Sequence, residues 1–193
     1  MDTKGPVIEG PVIEGPVIET GRLILRPTAM EDFERWCDFQ SDAETTRFIG
    51  GPKTPAEVWR IMMTCAGAWS LTGVCFFSIV EKETGQWIGR IGPWFPHKWP
   101  GKEVGWSLHR DAMGKGYALE AAVASMDYAV DVLGWDDIIH TIAPENRASA
   151  ALAERLGSTN RGPGKLPSPF DGTVVDIWGQ TAEEWRENRK RFV

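Results

Sequence analysis

The spacing of apolar and polar residues along the chain predicts a mixture of strands and helices. Strand-like runs occupy 23–25, 74–81, 86–94, 103–108, 137–142 and 173–180. Helix-like spacing occupies 28–40, 54–71, 118–132 and 147–156, with a short charged helix after Thr181. A turn at Thr84-Gly85 makes 74–94 an antiparallel hairpin. Since the order is not a repeated strand–helix–strand unit, we predict an α/β fold of the mixed α+β kind.

Two of these helices carry specific sequence signals. Thr54-Pro55-Ala56-Glu57 is a capping box with proline in the first turn, so a helix begins there. The helix over 118–132 has apolar residues along one face, which predicts that it packs on a sheet. That apolar face consists of Leu119, Ala122, Val123, Met126, Val130 and Leu133.

The first 19 residues form a leader that differs from the rest of the chain. Residues 5–19 are three tandem copies of Gly-Pro-Val-Ile-Glu, and only the third leads directly into the first strand. A proline at every fifth position prevents a regular helix or a central strand. We therefore predict a flexible leader over 1–19 and a single domain over 20–193. A tail that binds a partner by strand addition is the alternative.

Composition narrows the class of protein. The chain has 193 residues, of which 42% are hydrophobic and 25% charged, as in a soluble globular domain. We expect a cytoplasmic protein, because there is neither a membrane-spanning run nor a signal peptide. Cys37, Cys65 and Cys75 lack metal-binding spacing, so we expect reduced thiols and no metal. A net charge of −6 disfavours nucleic acid as a partner and weakly favours a cationic substrate such as an amine.

The most informative motif is the glycine-rich run over 110–120, which joins a predicted strand to a predicted helix. Such a turn can bind phosphate through the free backbone N–H groups of the first helical turn. Gly114 and Gly116 leave room for an anion, and Lys115 adds a positive charge. The run is neither a Walker loop nor a dinucleotide fingerprint. An ordinary glycine turn before a helix is the alternative.

The order of the motifs resembles the GNAT acyltransferases, and within them the RimJ/RimL-like branch. The motifs are Glu103-Val104-Gly105-Trp106-Ser107-Leu108, the glycine-rich run, Asn146 with Ser149, and Leu156-Gly157. The segment over 18–27 is similar to the first strand of that branch, and the resemblance covers about residues 16–185. One departure is Ser158, which stands where the branch usually has phenylalanine.

The resemblance implies a GNAT fold, in which a curved, mixed, mostly antiparallel sheet is flanked by helices. Its central strands, here 103–108 and 137–142, splay apart, and acetyl-CoA lies in the gap. The pantetheine arm would then pair with Trp106, Ser107 and Leu108 and would bind Asn146. The pyrophosphate would lie on the backbone of the loop residues Met113, Gly114, Lys115, Gly116, Tyr117 and Ala118. Asn146 is also suited to be a helix N-cap.

Acyl transfer to an amine requires removal of a proton from the amine and stabilisation of the leaving thiolate. Glu103 is the candidate proton acceptor; the alternative is an exposed carboxylate or one that orients the substrate. His97 and Glu120 are weaker candidates. Ser149 is the candidate donor to the thiolate. The tyrosine acid common among GNAT enzymes falls at Ala153, so no tyrosine acid is assigned.

The acceptor site would be formed by the helix pair over 29–71 and by the loop over 93–101. Trp36, Trp94, Phe95 and Trp99 either line this site or serve as structural or dimer-interface aromatics. Arg110, Lys115 and Arg147 either meet the 3′-phosphate of CoA or are solvated.

We therefore predict an acetyl-CoA-dependent N-acetyltransferase that transfers the acetyl group directly to a primary amine in a ternary complex. The acceptor is a protein N-terminus or a small amine, and a homodimer is allowed. No membrane or nucleic-acid partner is expected. Two alternatives remain: a non-catalytic CoA sensor or interaction module with the same fold, and a protein that binds nucleotide phosphates.

Overall fold

The computed structural model describes residues 15–192 as one mixed α/β domain built from eight strands and five α-helices. The strands are β1 (Ile18–Glu19), β2 (Leu23–Arg26), β3 (Phe77–Glu81), β4 (Trp87–Trp94), β5 (Glu103–Leu108), β6 (Asp137–Ile142), β7 (Thr159–Gly164) and β8 (Val175–Thr181). The helices are α1 (Phe33–Ser41), α2 (Pro55–Thr72), α3 (Tyr117–Asp127), α4 (Arg147–Leu156) and α5 (Ala182–Arg189). A π-helical segment, Tyr128–Val132, extends α3.

All eight strands belong to one sheet, in the order β1-β2-β3-β4-β5-β6-β8-β7. Every neighbouring pair is antiparallel except β5 and β6, which are parallel. Those two strands have a single register pair, Glu103 with Ile139, and then diverge. The predicted mixed, mostly antiparallel sheet with splayed central strands is therefore confirmed.

A buried histidine from β6 fills the interval where β5 and β6 have separated. His140 Nδ1 lies 2.6 Å from the Val104 carbonyl oxygen, and His140 Nε2 lies 3.0 Å from Ser158 Oγ. Burial lowers the pKa of His140 to about 4, so the ring is neutral. The Nδ1–H then donates to Val104, while Nε2 accepts from Ser158. The imidazole thus replaces the missing backbone pairing and holds the two strands at a fixed separation.

Helices cover both faces of the sheet, as neighbouring residues of β3 demonstrate. The Phe77 ring packs edge-on against Tyr128 at the end of α3, with 5.3 Å between centroids. The next residue, Ser78, donates a 2.7 Å hydrogen bond to Asp32, which immediately precedes α1. Because consecutive side chains of a strand point to opposite faces, α1 and α3 lie on opposite sides.

The predicted helix signals are confirmed, with one shift at a helix start. Thr54 accepts from the Glu57 amide and Glu57 reaches back to the Thr54 amide, as a capping box requires. The first helix begins at Phe33, after a short 3₁₀ turn, rather than at Thr28. Asp32 forms a salt bridge with Arg26, which fixes that turn to β2.

Two strands differ from the prediction. Ile18 and Glu19 pair with β2, so the sheet begins within the third leader copy, two residues before the predicted boundary at 20. Residues 1–14 of the leader lie outside the described residues. The other difference is β7, whose sequence Thr-Asn-Arg-Gly-Pro-Gly has no apolar alternation; it is the edge strand of the sheet and pairs with β8.

The three cysteines are free, with Cys65 and Cys75 buried and Cys37 half-buried. Among residues 15–192, no helix combines the length and the apolar character needed to cross a bilayer.

Candidate active site

Glu103 lies at the point where β5 and β6 diverge, and its carboxylate is buried. Only 6% of the residue is exposed, which rules out the exposed carboxylate considered above. Trp99 Nε1–H donates to Oε2 at 2.5 Å, and the Thr141 hydroxyl lies 3.0 Å from Oε2 and 3.1 Å from Oε1. The Thr141 amide adds a longer contact of 3.3 Å to Oε1. These contacts fix the direction in which the carboxylate points.

Burial gives Glu103 the acidity of a base that works near neutral pH. Desolvation raises its pKa to about 7, although the hydrogen bonds from Trp99 and Thr141 and the charge of Arg90 act in the opposite direction. A carboxyl group with a pKa near the working pH can both accept and release a proton. A buried carboxyl group perturbed in this way is a candidate catalytic residue.

Gly105, the next residue on the same face of β5, lets the Glu103 carboxylate and the Phe76 ring pack close to the strand. A Cβ at Gly105 would lie 3.1 Å from Glu103 Oε1 and 3.1 Å from the Phe76 ring. These are tight contacts, so a side chain here would push the carboxylate or the ring aside. The glycine is therefore needed for the carboxylate and the ring to keep these positions.

On the opposite face of β5, Trp106 connects the strand to the start of α4. Its Nε1–H donates to Ser149 Oγ at 3.2 Å, and its ring lies 4.7 Å from that of His140. Because Ser149 Oγ accepts this bond, its own proton remains available for donation. Ala153, one turn further along α4, is completely buried, and its methyl side chain has no proton to supply to the site.

Asn146 is the N-cap of α4, which is one of the two roles that the sequence predicts for it. Its Oδ1 accepts from the Ser149 amide at 3.2 Å. The cap uses the oxygen and leaves the side-chain NH₂ as a donor. The capping role and a contact with a pantetheine carbonyl are therefore compatible.

The glycine-rich loop ends in the N-terminus of α3 and presents a series of free backbone donors. Gly114 and Gly116 have φ of 75° and 82°, in the left-handed region, and Gly116 is the N-cap. Within residues 15–192, the backbone N–H groups from Gly114 to Leu119 have no protein acceptor. A Cβ at Gly114 would meet no atom within 4 Å. This open, donor-rich turn fits a pyrophosphate group such as that of CoA.

Sequence reasoning missed the residue that braces this loop, Arg22 of the β1–β2 turn. Its Nη1 donates to the Lys115 carbonyl at 2.9 Å, and its guanidinium lies 4.4 Å from the Tyr117 ring centroid. Its Nε and backbone N–H bind Glu120 at 2.7 Å and 2.8 Å. Glu120 also accepts from Thr20 at 2.6 Å, so its carboxylate is committed to this brace. The sequence feature that could have identified Arg22 is its place in the segment over 18–27, which is similar to the first strand of the RimJ/RimL-like branch.

Replacing Arg22 with alanine is expected to raise the KM for acetyl-CoA roughly 5- to 10-fold and to leave kcat nearly unchanged. The loss corresponds to one charge-assisted hydrogen bond that holds the loop in its binding shape. Steady-state kinetics with varied acetyl-CoA would measure it, with the exposed Arg60→Ala on α2 as the control. An unchanged KM would show that the loop keeps its conformation without this brace.

The other charged candidates are exposed to solvent or are engaged with other residues. Arg110 forms a salt bridge of 2.6 Å with Asp42. Lys115 is exposed, and its Nζ lies 5.9 Å from the centroid of the Tyr117 ring. His97 and Arg147 are both exposed to solvent.

The aromatic residues predicted for the acceptor site do not all lie in the same place in the structure. Trp36 is completely buried and stacks on Trp87 at 5.5 Å, so it belongs to the core and we do not place it in the site. Trp94 and Trp99 do lie beside Glu103. Trp94 is directly opposite Glu103 in the antiparallel pairing of β4 with β5, and the Trp99 indole N–H donates to the Glu103 carboxylate. Phe95 lies on the same β4–β5 loop as Trp99 and is 52% exposed.

A large cleft of about 860 Å³ lies elsewhere, between the β1–β2 turn, α3 and the C-terminal residues. Among the residues that the structure describes, its lining includes Arg22, Leu119 and Phe192 but no residue of β5 or β6. It therefore borders the back of the glycine-rich loop and not the carboxylate.

Comparison with known proteins agrees with this arrangement. The model of the acetyltransferase (GNAT) domain matches residues 22–159. The chain is 32% identical over 162 residues to the N-acetyltransferase p20 of Bacillus licheniformis. The matched region covers 82% of this chain and 91% of that protein.

Solved structures give the same result. The acetyltransferase of Agrobacterium tumefaciens is 34% identical, with a TM-score of 0.74 over 89% of this chain and 98% of that one. The ribosomal-protein-S5-alanine acetyltransferase of Vibrio fischeri shares the fold, with a TM-score of 0.68 at 19% identity over 88% and 98% of the two chains. The domain match, the identity to these relatives and the shared fold establish that the chain belongs to the GNAT acetyltransferase family and is an acetyltransferase.

Proposed function

We propose that the protein is an N-acetyltransferase of the RimJ/RimL-like type that passes an acetyl group from acetyl-CoA directly to a primary amine in a ternary complex. The observation that supports it most is the buried Glu103 carboxylate, with a pKa of about 7, at the opening between β5 and β6. Acetyl-CoA dependence and three free thiols suit a cytoplasmic enzyme.

Acetyl-CoA, when bound, supplies the acetyl group as a thioester. The free amides from Gly114 to Leu119 would hold its pyrophosphate, while the β5 backbone at Trp106, Ser107 and Leu108 and the Asn146 side chain would hold the pantetheine arm. The resemblance also assigns Met113, Lys115, Tyr117 and Ala118 to this cofactor site.

Glu103 would act as the proton acceptor for the incoming amine. An alkylammonium has a pKa near 10, so it must lose a proton before its nitrogen can attack. The ammonium proton passes to the Glu103 carboxylate, directly or through one water. The amine nitrogen then forms the C–N bond to the acetyl carbon as the C–S bond breaks.

Ser149 would act on the leaving sulfur. Its Oγ is oriented by the Trp106 indole, which leaves its proton free to hydrogen-bond to the thiolate. The nitrogen gives up a second proton as the amide forms, and the sulfur takes up one proton, so that CoA leaves as the thiol. The proton held by Glu103 returns to solvent, which restores the carboxylate.

The acceptor is a protein N-terminus or a small amine. The Vibrio fischeri protein is named as a ribosomal-protein acetyltransferase, which supports the first, although the shared fold alone links the two chains. Trp94 and Trp99, which lie beside Glu103, would line the acceptor site. A homodimer is compatible with this site.

An acetylation assay tests the proposal. The protein is incubated with acetyl-CoA and a panel of amines and peptides, with thiol release and product mass as readouts and both substrates varied. Acetylated product with intersecting double-reciprocal lines is expected, since a ternary complex gives that pattern. Parallel lines would point to an acyl-enzyme, and tight acetyl-CoA binding without turnover on any amine would favour the sensor alternative.

A further inference from the structure

Four aromatic rings from four separate segments meet beside the Glu103 carboxylate. Phe76 stacks on Trp94 with 5.0 Å between centroids and 15° between planes. Trp94 meets Trp99 edge-on at 6.4 Å, and Trp99 meets Phe170 edge-on at 6.2 Å. Trp99 also donates its indole N–H to Glu103, so the four rings and the carboxylate belong to one contiguous cluster. We call Phe76, Trp94, Trp99 and Phe170 the aromatic wall.

The outer end of the aromatic wall is open to solvent. Phe170 is 45% exposed, although it sits on a loop (165–174) that packs its ring against Trp99. Trp94 and Trp99 are half-buried. Exposed aromatic surface next to a buried titratable group is a combination found at binding sites for small ligands with an apolar body.

The charges around the aromatic wall favour a ligand with one positive charge. Glu103 is the only carboxylate that hydrogen-bonds to one of the four rings within residues 15–192. The Arg90 guanidinium already covers Phe76 at 4.9 Å. The loops over 95–102 and 165–174 carry three lysines, Lys98, Lys102 and Lys165, against a single acid, Asp171, and Lys102 is already paired with Asp136 at 2.7 Å. These two loops therefore offer a second ammonium group on a ligand one carboxylate, Asp171, beside two lysines that are unpaired within the described part of the chain.

We infer that the acceptor is a primary amine with a single charge on a flat apolar body, whose ring packs on the aromatic wall while its ammonium group reaches Glu103. This inference rests on the proposed function. The chemistry is that of an arylalkylamine, which can be a free small molecule or the N-terminal aromatic residue of a peptide. Aromatic faces attract both the apolar body and the ammonium group before the proton is removed.

The experiment compares acceptors that differ in one property. Phenethylamine, butylamine and putrescine serve as free amines, and two peptides that differ only in an N-terminal phenylalanine or serine serve as the peptide arm. We expect kcat/KM to be at least about tenfold higher for phenethylamine than for butylamine, because the ring buries more apolar area. Putrescine is expected to be the poorest of the three. The peptide pair shows whether the enzyme also prefers an aromatic residue when the amine is the N-terminus of a peptide.

Substitutions connect this preference to the aromatic wall. Phe170→Ala is expected to lower kcat/KM for phenethylamine about tenfold and to leave butylamine unchanged. Val174→Ala truncates another exposed apolar residue of the same loop and should alter neither. Equal effects of Phe170→Ala on both amines, or preference for putrescine, would overturn the inference while amine acetylation stands. Failure to acetylate any amine would instead count against the proposed function.

Discussion

Replacing Glu103 with glutamine is expected to lower kcat for amine acetylation by about 10²- to 10⁴-fold and to leave the affinity for acetyl-CoA unchanged. Glutamine keeps the size of the side chain and an oxygen that can accept from Trp99, but it cannot take a proton. Steady-state kinetics with a saturating amine would measure kcat, and calorimetry would measure acetyl-CoA binding. The exposed Glu154→Gln on α4 removes a carboxylate of the same type away from the site.

The pH dependence of the same pair of enzymes provides a second test of Glu103. Since the carboxylate must be ionised, the wild-type rate at a fixed concentration of amine should rise through the pKa of about 7, and that limb should be absent in Glu103→Gln. The raised pKa also has a cost in stability. The protonated group stabilises the fold below its unfolded pKa, and that stability is lost as the pH rises through 7. We therefore expect Glu103→Gln to unfold at no lower temperature than the wild type at pH 8. An unaltered rate profile in the variant would place the base elsewhere.

Introducing valine at Gly114 is expected to weaken acetyl-CoA binding by about 100-fold, roughly 3 kcal/mol. The new side chain projects into the open space over the loop, where the free backbone N–H groups would hold the pyrophosphate. Calorimetric titration with acetyl-CoA measures the change, and ATP serves as a competing ligand that tests for a general nucleotide site.

The control places the same substitution at another glycine with a positive φ, so that it carries a similar backbone strain in a different turn. Gly134, between α3 and β6, has a φ of 65° and an equally open environment, so Gly134→Val carries a similar strain of about 1–2 kcal/mol. It should bind acetyl-CoA as the wild type does. If both variants lose binding equally, the effect is one of general stability and the loop has no special role.

The sequence predicted those parts of the fold that depend on local patterns. β5, β6 and α4 have the predicted boundaries, because strand alternation and a helix stripe are visible within a few residues. The Thr54 capping box is equally local. By contrast, β7 could not be predicted, since its glycines and proline are tolerated only because it is an edge strand beside β8.

The candidate site shows the same division between local and long-range information. Motif order directed attention to Glu103 and Ser149, whereas the glycine-rich loop was predicted from its own glycines and its position before a helix. The brace by Arg22 joins residues about 90 positions apart, and no periodicity reports such a contact. Ser158, an apparent departure from the motif, is explained by its hydrogen bonds to His140 and Gln180, which only the folded chain brings together. Likewise, Trp36 could be assigned to the core only once its partner Trp87 was known.

A crystal structure of the protein with CoA bound would examine the proposed cofactor site itself. We expect the pantetheine arm to lie along β5 where β6 diverges, with the pyrophosphate on the amides from Gly114 to Leu119. The sulfur should lie near Ser149 and face the opening beside Glu103. CoA bound in the cleft between the β1–β2 turn and α3, or with its phosphates away from the loop, would contradict the account.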